Sequence, residues 1–395
     1  MTADGQHQPA PHIGTLAAGP RDAISDVAGI TVGHCTLAQG PLQTGVTVIR
    51  PHAGDPYRLR PRAAAAVLNG FGKSIGLLQL AELGVLETPI ALTNTFAVGA
   101  IAQAQIAAAC RDNPGIGRSG PTVNPLVFEC NDGFLNDIQA MALGREHYQS
   151  ALAAAAPEFA QGSVGAGRGM SMFSVKGGIG SASRVVGAGS GRYMLGALVL
   201  ANYGRAPNLI VDGRKLGAEL ARRLALAGTD PAQRPQSEPQ SMPASSHSPA
   251  HPLQPALTPT PAPAPGPAPA PAPPESGSII IVLATDAPLD DRQLRRLALR
   301  AGAGLARTGS VFGHGSGDIV LAFSTAHPLP QDPRQPMPIA AMLHDALLDP
   351  LFQAAADVTE QAILHALLRA ESVQGFDGHE RRSFSDHVPD WPRWS

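Results

Sequence analysis

The chain has 395 residues, 44% of them apolar, enough for one large core or roughly two to three ordinary domains. A formal charge of −2, with 15% charged and 4% aromatic side chains, supplies neither a basic face for phosphates nor platforms for stacking bases, which speaks against nucleic acid as a partner. Three cysteines (Cys35, Cys110, Cys130) without paired spacing, no apolar run of about 18 residues and no signal-peptide pattern at the N-terminus together predict a soluble, cytoplasmic protein with no disulfide framework, structural metal or membrane span.

In chain order, the β-branched runs GITVGH (29–34), GVTVIRP (45–51) and NPLVFEC (124–130) read as strands. Residues 72–86 and 97–112 carry apolar and alanine-rich patterns of helices, and a third helix is predicted from about Gly213 onward. AAAAVLNGF (63–71) reads as a poor strand because alanine has low strand preference. Residues 231–277, dominated by proline, alanine and serine, have almost nothing to bury and read as a disordered tether. After it come a buried strand (278–289), an amphipathic helix (290–308) and a strand (318–325). That unit of roughly 48 residues is too small to stand alone, so residues 1–230 and 278–395 are expected to share one catalytic domain, with a flexible tail from about 374.

Several patterns imitate known sites. NGFGKS (69–74) ends like a phosphate loop, but Val67 stands where the first glycine is needed. Gly72-Lys73-Ser74-Ile75-Gly76 matches a nucleophile elbow in letters only, without a good strand before it or an evident His partner. GAGRGM (165–170) places Met170 where a dinucleotide fingerprint needs glycine or alanine, and His34 and His314 read as hydrogen-bonded loop residues.

The tether ends abruptly at Gly277-Ser278, at the head of a core strand. A cut between these residues would give Ser278 a free α-amine, of unperturbed pKa ~7.7–8.0, beside its own hydroxyl, so that one residue holds both nucleophile and general base. Gly277 leaves its carbonyl uncrowded and tolerates strained backbone angles. A Gly-Ser pair at a strand head is also an ordinary turn, Asp318 also caps turns, and Asn202 also satisfies loop amides.

Taken together, GPRDAISDVAGITVGHCTL (19–37), residues 68–99, ECNDGFLND (129–137), GSVGAGRGM (162–170), VKGGIGSASR (175–184), LANYGRAP (200–207), GSIIIVLATDAPL (277–289) and LARTGSVFGHGSGDIVLAFST (305–325) resemble the DmpA-type family of L-aminopeptidase/D-esterases and β-peptidyl aminopeptidases. The resemblance implies an α/β (α+β) fold, a four-layer αββα sandwich of the DmpA/ornithine acetyltransferase type similar to N-terminal nucleophile hydrolases. It implies autocleavage between Gly277 and Ser278, Ser278 as nucleophile, a Ser316–Asp318 relay, Asn202 in the oxyanion hole and Glu129 as anchor for the substrate's free amine. Phe134 stands where relatives often place a Tyr or Trp near the substrate, so a phenolic hydroxyl that would help to bind the oxyanion is missing there. The implied substrates are small peptides, amides or esters with a free amino group. No cofactor or metal is implied, and the α- and β-chains would stay together in a homo-oligomer of αβ units. Two alternatives stand beside this: an acyltransferase of the ornithine acetyltransferase type, and an uncleaved scaffold or binding protein displaying its Pro-Ala tract.

Overall fold

In the computed structural model, residues 9–228, 276–338 and 341–391 are described. The first half supplies strands β1 (Thr31–Gln39), β2 (Leu42–Arg50), β3 (Leu59–Gly70), β4 (Ile90–Asn94) and β5 (Leu126–Cys130), with helices α1 (Leu77–Leu83), α2 (Val98–Asp112) and α3 (Arg145–Ala153). A short hairpin, β6 (Ser171–Met172) and β7 (Val175–Lys176), leads into β8 (Gly178–Ala188) and β9 (Gly191–Asn202). A second one, β10 (Ile210–Val211) and β11 (Arg214–Lys215), precedes α4 (Gly217–Leu226). Beyond residue 275 follow β12 (Ser276–Thr285), α5 (Asp291–Arg307), β13 (Gly315–Pro330), α6 (Asp349–Leu368), the pair β14 (Val373–Gln374) and β15 (Glu380–Arg381), and α7 (Phe384–His387).

β12 shows why the run IIIVLA has no polar alternation. Ile279, Ile281 and Leu283 point into one buried cluster and Ile280, Val282 and Ala284 into another, as for a strand covered on both faces. It lies in a five-stranded sheet of order β3-β13-β12-β9-β8, parallel to β13 and antiparallel to β9. A four-stranded sheet, β1-β2-β4-β5, faces it, and Ile49, Leu92 and Phe128 meet Leu200, Ile280 and Leu321 between the two. Helices α5 and α6 cover the outer face of the large sheet through Leu294, Leu297, Val358 and Ile363. α2 and α3 cover the outer face of the small one through Ile101, Ala108, Tyr148 and Ala151. The layers are therefore helix, sheet, sheet, helix, the αββα sandwich expected.

The structure departs from the sequence reading in four places. The alanine run is a full strand, β3: Ala64 and Ala66 face the helical layer and Ala63 the inter-sheet core, where small side chains let neighbouring elements approach. The helix predicted over 72–86 shortens to α1, bracketed by Gly76 and Gly84 in left-handed conformations (φ +102° and +65°), and Ile75 before it pairs with Val127 of β5. α6 was not anticipated; it sits directly on β8, where any Cβ on Gly180 would overlap the Ala362 carbonyl. The segment from about 374, expected to trail as a flexible tail, instead packs through Phe384, Val388 and Trp391, all buried, up to the last described residue. Residues 231–275 of the expected tether lie outside the described residues, while Ser276 and Gly277 are already in register on β12, opposite Gly315 and Ser316.

Candidate active site

The open ends of β9, β12 and β13 bring the sequence-predicted residues into one row. Ser278 lies opposite Asn202 on one side and opposite Gly317 on the other, with Gly277 beside Ser316 and Ile279 beside Asp318. The Gly317 N–H donates to Ser278 Oγ at 3.1 Å, so the hydroxyl oxygen has a fixed donor that favours negative charge on it, and its proton stays available for transfer. Ser316 Oγ donates to Asp318 Oδ1 at 2.6 Å, and both side chains are buried. Asn69, on the neighbouring β3, ties down the turn that leads into them by donating to the carbonyls of Gly313 and Ser316.

Glycines make this geometry possible at two points. A Cβ on Gly317 would come within 2.7 Å of the Phe71 carbonyl oxygen and 3.2 Å of Gly72 Cα, so the 71–72 backbone lies directly on β13, at the residue whose N–H bonds Ser278. Gly277 has φ +157°, and a Cβ there would lie 2.9 Å from Tyr203 Cα and closer still to the Asn202 carbonyl oxygen. The residue before Ser278 therefore has room for hydrogen only.

Asn202 is held by its own amide: Oδ1 accepts from Ser171 N (2.8 Å) and Nδ2 donates to Asn131 O (2.9 Å). The second Nδ2 hydrogen has no bond among the described residues, and a primary amide has two to give. Glu129, buried at the end of β5, takes the Lys73 N–H on Oε1 (2.8 Å) and the Thr95 hydroxyl on Oε2. The space a Cβ would occupy on Gly72 is 3.6 Å from Glu129 Oε1 and 3.9 Å from Gly317 Cα, which sets the carboxylate across the 71–72 backbone from the Ser278 row. A carboxylate so placed has lone pairs left to receive an ammonium group. Phe134 lies apart from the row, stacked on His379 (centroids 4.5 Å, planes 5° apart) under the Arg381 guanidinium (3.6 Å).

Sequence reasoning missed the groups that fix these side chains. Gly317 and Lys73 act through backbone N–H groups, which carry no side-chain signature. Thr95 and Asn131 become neighbours of Glu129 and Asn202 only through sheet pairing. Lys176 had a signal, a lone cation in SVKGGIG. Its ammonium is fully buried and donates to the carbonyls of Gly167, Met170 and Gly177 at 2.6–2.9 Å, tying the 167–170 turn to the β6–β7 hairpin whose Ser171 holds Asn202. Burial depresses its pKa well below the usual lysine range, and burial raises that of nearby Asp132 to about 6.

The other patterns fall into structural roles. His34 bridges Thr47 Oγ1 (2.9 Å) and Ala160 O (3.0 Å), and burial lowers its pKa to about 4, so it is a neutral structural imidazole. Ser74 Oγ is buried with no hydrogen-bond partner among the described residues, and no helix begins behind it until Leu77, so it lacks the base and the turn that an elbow nucleophile needs. Among the described residues there is no group of three or more His, Cys, Asp or Glu that could hold a metal ion, and no helix is long and apolar enough to cross a membrane.

A buried serine hydroxyl at the strand ends between two facing sheets suits a hydrolase with a two-sheet catalytic core. Comparison with known proteins places the chain within that class. Residues 22–381 match peptidase family S58. The beta-peptidyl aminopeptidase BapA of Sphingosinicella microcystinivorans is 35% identical over 373 residues, covering 91% of this chain and 85% of the relative. The structure of a Burkholderia sp. beta-aminopeptidase superposes with TM-score 0.78 at 35% identity, covering 97% of each chain. That of the L-aminopeptidase D-Ala-esterase/amidase of Ochrobactrum anthropi, described as a prototype for the serine aminopeptidases and a new variant among the Ntn hydrolase fold, gives TM-score 0.78 at 29% identity over 97% of this chain and 98% of that one. The chain belongs to peptidase family S58 and is a self-processing serine aminopeptidase, a hydrolase acting on peptide bonds.

Proposed function

We propose that Ser278 is both the agent of self-cleavage and the nucleophile of turnover. In the first reaction its hydroxyl adds to the Gly277 carbonyl, the C–N bond to Ser278 breaks, and the resulting ester is hydrolysed by water, leaving chains 1–277 and 278–395 associated. Pairing of β12 with β9 and of β13 with β3 across the cut supports that association, because separating the chains would expose strands buried on both faces. In turnover Ser278 Oγ attacks the carbonyl next to a substrate's free amino terminus while the new α-amine accepts its proton. The amine then protonates the leaving group, and water hydrolyses the acyl-enzyme.

The remaining residues take the roles their partners support. Ser316 and Asp318 orient the amine and hydroxyl of Ser278 as a hydrogen-bonded relay. Asn202 offers its second Nδ2 hydrogen to the tetrahedral oxyanion. Glu129 receives the substrate ammonium, which restricts the enzyme to the ends of chains. Phe134, stacked on His379 apart from the row, has no hydroxyl to give.

Substrates are small peptides, amides or esters with a free amino group, and the names of the curated relatives favour β-amino termini among them. The processed units form a homo-oligomer, as family resemblance suggests, and three free cysteines fit the cytoplasm. The observation that carries the reading is the register that sets Ser278 between Asn202 and the Gly317 N–H. Acid quenching during turnover of a slowly hydrolysed aminoacyl ester tests it. The acyl mass is expected on the peptide that begins at Ser278, and its appearance on Ser74 or any other residue would refute the assignment.

A further inference from the structure

A cavity of about 400 Å³ opens at the end of the small sheet away from the Ser278 row. Its walls come from the residues after β2 and before β4, the last turns of α2, and α3. Because β4 and β5 run parallel, the Thr88–Pro89 end of β4 lies opposite the end at which β5 carries Glu129. The cavity is thus separated from the Ser278 row by the length of the sheet.

Its charges do not balance internally. Glu87 is paired with Arg60 (3.5 Å) and accepts from Asn124 N, Asp112 is paired with Arg111 (2.9 Å), and Asp55 accepts from Asn113 Nδ2 (2.6 Å) and Tyr57 N (2.9 Å). Arg50, on the same wall, has no carboxylate within ion-pair distance among the described residues; its Nη2 makes only a long bond, 3.3 Å, to the Ala53 carbonyl. Thr88 also lines the cavity, and its buried hydroxyl has no hydrogen-bond partner among the described residues. A buried hydroxyl without a partner and a cation without an anion, in a space walled by Ala108, Leu152 and prolines, together ask for a ligand with one anionic, hydrogen-bonding head and an aliphatic body.

We propose that this cavity binds the carboxylate of a small aliphatic acid, either a free amino acid of the kind an aminopeptidase releases or a simple organic acid, with Arg50 on the carboxylate and Thr88 donating to it. The inference rests on Arg50 and Thr88 and is independent of the roles given to Ser278 and Glu129.

Calorimetric titration of the full chain with L-leucine, 4-methylpentanoate and L-leucinamide tests it. Leucine and 4-methylpentanoate are expected to bind and leucinamide is not, and Arg50→Gln should weaken both carboxylates by at least about tenfold while aminopeptidase turnover stays unchanged. Tighter binding of leucine identifies the amino acid as the ligand class; equal binding identifies the acid group alone. Occupation of the Ser278 site by leucine would survive Arg50→Gln and so is told apart. Should Arg50→Gln not fold, Thr88→Val keeps the side-chain shape and is expected to weaken binding severalfold. The proposal is overturned if leucinamide binds as tightly as leucine, if the substituted proteins bind like wild type, or if neither acid binds up to about 10 mM.

Discussion

Replacing Gly277 with alanine separates the act of cutting from the act of turnover. The added Cβ would lie 2.9 Å from Tyr203 Cα and nearer still to the Asn202 carbonyl oxygen, against 3.4–4 Å for ordinary contact, and φ at this position is +157°. β12 must therefore move off β9 by roughly 0.5–1 Å at the residue that carries the scissile carbonyl. Overpacking of this kind costs about 1–3 kcal/mol, and a displacement of about 1 Å between reacting groups costs on the order of a hundredfold in rate. Self-cleavage of Gly277→Ala is expected to slow by about that factor. Once the bond is cut, residue 277 ends the other chain and Ser278 is unchanged, so turnover per mole of processed 278–395 chain should equal wild type. A time course of intact mass, with activity normalised to that chain, measures both. Cleavage at the wild-type rate, or a processed variant with impaired turnover, would refute the reasoning.

Other substitutions test the remaining roles. Asn202→Ala removes the oxyanion donor and should lower kcat by about 10²–10³ with little change in KM, read from steady-state kinetics. Glu129→Gln removes the charge that receives the ammonium and should cut kcat/KM for free-amine substrates by about 10- to 100-fold, while N-acetylated analogues stay poor substrates of both proteins. His365, buried in α6 with Nδ1 bonded to Ser181 O at 2.7 Å, has its pKa lowered to about 4 by burial and by Arg369. Its folded value lies below its unfolded value, so the unfolded chain binds the extra proton. Its contribution is constant above about pH 6.5 and turns destabilising as pH falls from there toward 4. Asp132, raised to about 6, works in the opposite direction through the same window, so the comparison must be between variants. In denaturant titrations His365→Gln should lose roughly 3 kcal/mol less than wild type between pH 7 and 4.

How far the sequence could be read follows from where each signal is local. The strand at Ile279–Ala284 and helix α5, with Asp290 as N-cap bonded to Gln293 N at 2.6 Å, are written in contiguous residues and were legible. β3 was not, because its alanines suit a strand only when helix α5 and the inter-sheet core press on its two faces. The β8–β9 hairpin was overlooked although its two-residue turn, Gly189-Ser190 with Gly189 at φ +59°, is a local hairpin signal. At the site, Ser278, Ser316, Asp318 and Asn202, which the family resemblance names, are brought together by the sheet register. The Gly317 and Lys73 N–H groups and the steric demand at Gly277 were not legible, since they exist only once three strands and a loop are in register.

Intact-mass analysis of purified wild type and Ser278→Ala, with aminopeptidase activity assayed on the same samples, bears most directly on the nucleophile's double role. Wild type is predicted to yield a chain of residues 1–277 and an active partner of residues 278–395, and Ser278→Ala a single inactive chain of 395 residues. An uncut wild-type chain that removes amino-terminal residues at full rate, or a Ser278→Ala chain that still divides at that bond, would contradict the account.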